Sequence, residues 1–121
     1  MNWWTLRFLL IPVLAMGTFS FPLAGEPVYI DVRSAAEYRE GHIEGALLMP
    51  HSRIAELIAT SGVAKDTHII LYCRSGHRAG LAHDVLQSLG YSNVSNGGGY
   101  LEIAAKLEGQ KSLEECRQEA C

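Results

Sequence analysis

Apolar and polar positions follow two rhythms along this chain, and the rhythm switches several times. Val28-Tyr29-Ile30-Asp31-Val32 is β-branched and apolar with no helical period, which predicts a buried strand. Ser34 offers an N-cap, with Glu37 three positions on completing a capping box; Gly41 ends that short helix. Gly45-Ala46-Leu47-Leu48-Met49-Pro50 predicts a second short strand, stopped by proline. Ser52 is placed as the cap of a helix showing Ile54, Leu57 and Ile58 at helical spacing, up to Ser61-Gly62. His68-Ile69-Ile70-Leu71-Tyr72 predicts the central strand. A helix follows over Ala79–Leu89, with Ala82, Val85, Leu86 and Leu89 on one face and Gly90 as its end. Tyr91–Ser95 predicts a last short strand, Asn96–Gly99 a turn, and Tyr100–Leu107 a terminal helix. From Glu108 onward the chain is polar and charged, a frayed tail or a loosely packed helix.

Strands alternating with helices imply an α/β fold, a small parallel sheet flanked by helices on both faces. Sites in such sheets form beyond the carboxyl ends of strands. Asp31 and Val32 lie at one such end. At another, the central strand runs directly into Cys73-Arg74-Ser75-Gly76-His77-Arg78, and a helix follows. Backbone N–H groups of such a turn converge on one point, and the helix dipole adds positive potential there. That environment lowers a thiol pKa and makes the thiolate the working species. A drop from about 8.5 to about 7 raises the thiolate share at neutral pH from roughly 3% to roughly 50%. The competing reading of Cys73 is a buried structural thiol. A glycine-containing strand-to-helix turn flanked by two arginines argues against it.

Composition narrows the function classes. The chain has 121 residues, 10 basic and 13 acidic, for a net charge of −3. Its length supports one domain. The N-terminus carries Arg7, an apolar stretch from Phe8 to Phe21, and small residues at Ala24 and Gly25. This has the layout of a cleaved export signal over residues 1–25, and Pro12 and Pro22 interrupt the stretch. The expectation is a periplasmic protein with no stable membrane span after cleavage; an uncleaved anchor is the alternative. Cleavage removes only Arg7 among the charged residues, so the mature chain is one unit more negative. That argues against a nucleic-acid binder, which would show a basic face.

Three cysteines are an odd number, and an odd cysteine in an exported chain points to a free thiol. Cys73 stands alone, while Cys116 and Cys121 lie close together. On a continuous helix their Cα atoms would be roughly 8–9 Å apart, beyond the roughly 7 Å limit for a disulfide. A bridge therefore needs a frayed or turned terminus, and two free tail thiols are the alternative. His51, His68 and His83 show no metal spacing, and Gly97-Gly98-Gly99 lacks the context of a dinucleotide fingerprint.

Several segments together resemble the single-domain rhodaneses, and most the small exported, periplasmic phage-shock kind. They are Tyr29-Ile30-Asp31-Val32-Arg33, Glu37-Tyr38 with Gly41-His42-Ile43-Glu44-Gly45-Ala46, Met49-Pro50, and the loop Cys73 to Ala79. Leu89-Gly90-Tyr91-Ser92-Asn93-Val94 with Gly97-Gly98 completes the set. Each alone is weak; their order and spacing are specific, from about Val28 to about Ala105. The resemblance implies a rhodanese domain over residues 26–107; the polar tail over 108–121 has no counterpart in the family. It implies a thiosulfate sulfurtransferase that passes sulfur through a Cys73 persulfide to cyanide or a thiol acceptor, with no metal or organic cofactor. Arg74, Ser75, Gly76, His77 and Arg78 would form the substrate loop, with Arg74 and Arg78 as candidate anion-binding cations. A helix cap or a carboxylate pair is the alternative for Arg78. His77 reads as a solvent-facing spacer and His42 as a loop-fixing residue. Asp31 and Arg33 would be structural, tying loop ends by charge-assisted hydrogen bonds. Related phosphatases have seven residues from Cys to Arg, and here there are six, so a phosphatase is the weaker reading. A non-catalytic sulfur carrier or anion-binding module is the alternative of another class. The family's usual first strand, before the Ile-Asp-Val-Arg segment, is missing or vestigial by this reading.

Overall fold

Four parallel strands frame the molecule, each followed by a helix. The computed structural model describes residues 25–120. The elements run β1 (Val28–Asp31), α1 (Ala35–Glu40), β2 (Leu47–Leu48), a 3-10 turn (His51–Arg53), α2 (Ile54–Thr60), β3 (Ile69–Cys73), α3 (His77–Ser88), β4 (Val94–Gly99) and α4 (Tyr100–Glu119). The strands lie in the order β2-β1-β3-β4, all parallel. The chain leaves β1 for one edge and later returns to its other side, so β1 and β3 meet at a topological switch point.

The two-residue period of the strands sorts their side chains onto two faces. Ile30, Val32, Ile69, Leu71 and Cys73 pack with α2 and α3 through Ile54, Ile58, Ala79, Ala82 and Leu86. Tyr72, with Tyr29 and Ile70 beside it, packs against Ile103, Ala104 and Leu107 of α4. Helices thus cover both faces, as the alternating pattern predicts. Each fully buried aliphatic side chain contributes about 2 kcal/mol, and Ile30, Ile69 and Leu71 are completely buried at the centre. No helix among the described residues is long and apolar enough to cross a membrane.

The capping box of α1 forms as read, with Ser34 Oγ accepting from Glu37 N and Glu37 accepting from Ser34 N. Other boundaries move. Ser52 caps nothing: it sits in the 3-10 turn, and α2 starts at Ile54 without a side-chain cap. The helix after the loop begins at His77 rather than Ala79, so the last two loop residues form its first turn. The last strand is not Tyr91–Ser95 but Val94–Gly99, and Asn96–Gly99 is strand rather than turn. Local propensity lost there to crowding. A Cβ on Gly97 would lie 2.7 Å from Ile70 Cγ2 and 2.8 Å from Ile103 Cδ1. The terminal helix runs past Leu107 to Glu119, its last turns wholly exposed. The export signal read over residues 1–25 falls, but for Gly25, outside the described residues, as does Cys121; among the described residues no strand precedes β1.

Candidate active site

The carboxyl end of β3 delivers Cys73 into the core, with only 1% of its surface exposed. Gly76 turns the chain with φ +96°, a left-handed conformation that suits glycine, and starts α3. No serine, threonine or aspartate side chain caps α3. The sulfur takes that place, accepting from Gly76 N at 2.9 Å. Burial pushes the Cys73 thiol up, but the amides of Ala79, Ser75, Gly76 and Arg78 outweigh it and the net shift is downward. A helix start without a side-chain cap leaves N–H groups for an anion, and here they close on the Cys73 sulfur.

The loop's two arginines differ. Arg74 is exposed and makes no side-chain hydrogen bond or ion pair among the described residues. Arg78 is held in a bidentate pair with Glu37, Nη1 to Oε2 at 2.8 Å and Nη2 to Oε1 at 2.9 Å. Of the roles open to Arg78 in the sequence, its side chain takes the carboxylate pair. Arg78, foremost with Ser34 N behind it, holds the Glu37 carboxyl far below the usual carboxylate range. Arg78 in turn is held above its ordinary value, chiefly by Glu37 and to a smaller degree by Cys73. His77 is exposed on the first turn of α3, as a spacer would be.

Asp31 and Arg33 form the neighbouring strand end. Asp31 is fully buried, and its carboxylate accepts from Arg33 N, Nε and Nη2, the last at 2.7 Å. Arg33 Nη2 also donates to the Gly41 carbonyl at 2.6 Å, and its guanidinium lies 4.6 Å from the Tyr100 ring centre. This knot ties the end of β1 to the end of α1 and the start of α4. His42 stacks on Tyr38 at 3.6 Å and bonds the Tyr38 carbonyl, fixing its loop. Tyr38 is half-buried, with its hydroxyl donating to the Ala46 carbonyl.

Two supports were not singled out from the sequence. Asn96 Nδ2 donates to the Gly76 carbonyl and Asn96 Oδ1 accepts from Gly98 N, both at 2.9 Å, so β4 grips the left-handed corner of the loop. Gly99 pairs with Cys73 across the sheet, and a Cβ on it would meet the Arg74 carbonyl oxygen at 2.8 Å. Three successive glycines were the available signal: they mark a strand whose backbone must approach another closely. A cleft of about 370 Å³ opens beside the loop, lined in part by Arg33, Glu37, Arg74, Tyr100 and Leu101. The assembly can stabilise a sulfur anion and receive a second anion next to it. Among the described residues no three His, Cys, Asp or Glu side chains converge as metal ligands do.

Comparison with known proteins agrees with this geometry. The rhodanese-like domain model matches residues 22–106. The thiosulfate sulfurtransferase PspE of Escherichia coli is 36% identical over 86 residues, covering 71% of this chain and 83% of that protein. A solved rhodanese with anions from E. coli superposes with a TM-score of 0.62 at 35% identity, over 65% of this chain and 93% of that one. The human single-domain sulfurtransferase TSTD1 gives a TM-score of 0.57 at 27% identity, over 68% of this chain and 84% of that one. With a domain model spanning most of its length and relatives this similar in sequence and fold, the chain belongs to the rhodanese-like family.

Proposed function

We propose that this protein is a thiosulfate sulfurtransferase working through a persulfide on Cys73. The observation that carries the reading is the convergence of loop amides on the Cys73 sulfur, which favours its charged form. The relatives named as thiosulfate sulfurtransferases support the donor. In the first step the Cys73 thiolate attacks the outer sulfur of thiosulfate. A sulfur–sulfur bond forms, the thiosulfate S–S bond breaks, and its electron pair leaves with sulfite. The persulfide anion that remains carries the same charge as the thiolate it replaces, so the same amides serve both states. In the second step cyanide or a thiolate takes the outer sulfur and returns Cys73 to the thiolate. This two-step covalent route gives ping-pong kinetics. Arg74 is the loop cation available to the incoming anion; Ser75, Gly76, His77 and Arg78 contribute through the loop backbone. Asp31 and Arg33 hold the floor of the site.

Intact-mass measurement after thiosulfate treatment tests the reading. The protein gains one sulfur atom, loses it on adding cyanide, and gains none as Cys73→Ala. A gain that survives in Cys73→Ala overturns it. We further propose export to the periplasm, on the N-terminal pattern of Arg7, an apolar stretch and small residues. Recovery of the full-length chain from the cytosolic fraction of the native host would reject that.

A further inference from the structure

The loop amides of this site close on a sulfur atom, yet one of the loop's two arginine charges is already taken. Arg78 follows the turn directly and its backbone amide serves the Cys73 sulfur. Its guanidinium is turned to Glu37, 41 positions earlier in the chain, through two parallel hydrogen bonds. Both side chains are mostly buried, each with 28% of its surface exposed. Glu37 is itself fixed from behind, since one of its oxygens accepts from Ser34 N and Ser34 Oγ. The fork is therefore gripped from both ends. Bidentate geometry is the same arrangement by which arginine recognises phosphate and sulfate, so a carboxylate filling both donors competes directly with such ions.

We propose that Glu37 is a specificity-determining residue that withholds the Arg78 fork from every oxyanion reaching the loop. Phosphate and sulfate, which offer only oxygen contacts, are thereby held weakly at Cys73, whereas thiosulfate is drawn on by reaction at its outer sulfur; anion recognition is left to the backbone amides and Arg74. The inference rests on the sulfurtransferase reading for its purpose, but not for its test.

Glu37→Gln is the informative change. Glutamine still completes the capping box with Ser34, and it removes the charge that holds Arg78. The measurement is the alkylation rate of Cys73 by neutral iodoacetamide, with Cys116 and Cys121 replaced by serine, against increasing inorganic phosphate. Other charges around the loop are Arg74 and His77 of the loop, the Asp31–Arg33 pair and Glu102 of α4, whose carboxylate reaches Gly98. They are common to all variants compared at one fixed pH.

In Glu37→Gln the phosphate concentration that half-protects Cys73 is expected to fall about tenfold, the worth of one charge-assisted anion contact. Glu37→Gln with Arg78→Met loses that gain. Ser34→Ala, which loosens the α1 cap while leaving Glu37 on Arg78, shows none of it. Should Glu37→Gln fail to fold, Glu37→Asp draws the carboxylate back from the Arg78 fork by one methylene and is expected to show a smaller gain. Unchanged or weaker protection in Glu37→Gln overturns the proposal, as does an equal gain in Ser34→Ala. Failure of Cys73 to accept sulfur from thiosulfate would instead count against the proposed function, whatever phosphate does.

Discussion

Gly76 shows how little freedom the thiol site has. Its φ of +96° is closed to most side chains, and a Cβ there would lie 3.1 Å from Gly98 Cα. Gly76→Ala is expected to cost about 1–2 kcal/mol for the backbone conformation alone and to shift the Gly76 amide that donates to Cys73. Urea denaturation reads the first effect. The second appears as a higher apparent pKa for iodoacetamide reaction at Cys73, because a lost donor favours the neutral thiol. Unchanged stability and unchanged reactivity together would contradict this account. Position of the thiol was legible in the sequence, since an apolar β-prone run leads straight into a Cys-to-Arg loop containing glycine. The partner of Arg78 was not. Glu37 was legible only as half of a capping box, because the contact that matters joins residues 41 positions apart and exists only once β1 and β3 pair.

The elements themselves divide along the same line. Strands β1 and β3 and the α1 cap carry local signals, and they appear where those signals place them. Strand β4 carries almost none: Asn96-Gly97-Gly98-Gly99 has turn composition, and it is strand because it must run between Ile70 and Ile103 where no side chain fits. Gly97→Ala tests that explanation. Overpacking against Ile70 Cγ2 and Ile103 Cδ1 is expected to destabilise the fold by about 1–3 kcal/mol, measured as a lower urea midpoint with an unchanged slope. If alanine is tolerated, the glycine run has some other cause. The far half of α4 is the opposite case. Among the described residues nothing packs on it, yet Gln110, Lys111, Leu113, Glu114, Glu115, Arg117 and Gln118 are good helix formers. Glu114 and Arg117 add a weak i,i+3 attraction at 3.7 Å. Polarity alone gave no sign of where that helix would stop.

Across the whole molecule, the Glu37–Arg78 pair links α1 to α3 over the carboxyl end of the sheet and gives stability a defined pH signature. The folded state holds the Glu37 carboxyl far below its unfolded value. Its contribution is therefore complete above the ordinary carboxylate range and disappears only as pH falls through the depressed folded value. Wild type is expected to exceed Glu37→Gln by about 1 kcal/mol, a modest figure because the pair is partly solvated. The gap should persist from pH 7 to pH 5 and close only in strong acid. Urea midpoints at several pH values check this; a gap that closes between pH 7 and pH 5 would mean another group is responsible. The long α4 has a consequence for the thiol of Cys116. It departs from Gly99, the neighbour of Cys73, and Cys116 stands 16 residues along it, about 24 Å away at the helical rise. No single molecule can close that gap while folded. Any exchange of sulfur or disulfide between Cys73 and Cys116 is therefore an encounter between two molecules, second order in protein, and it slows as the protein is diluted.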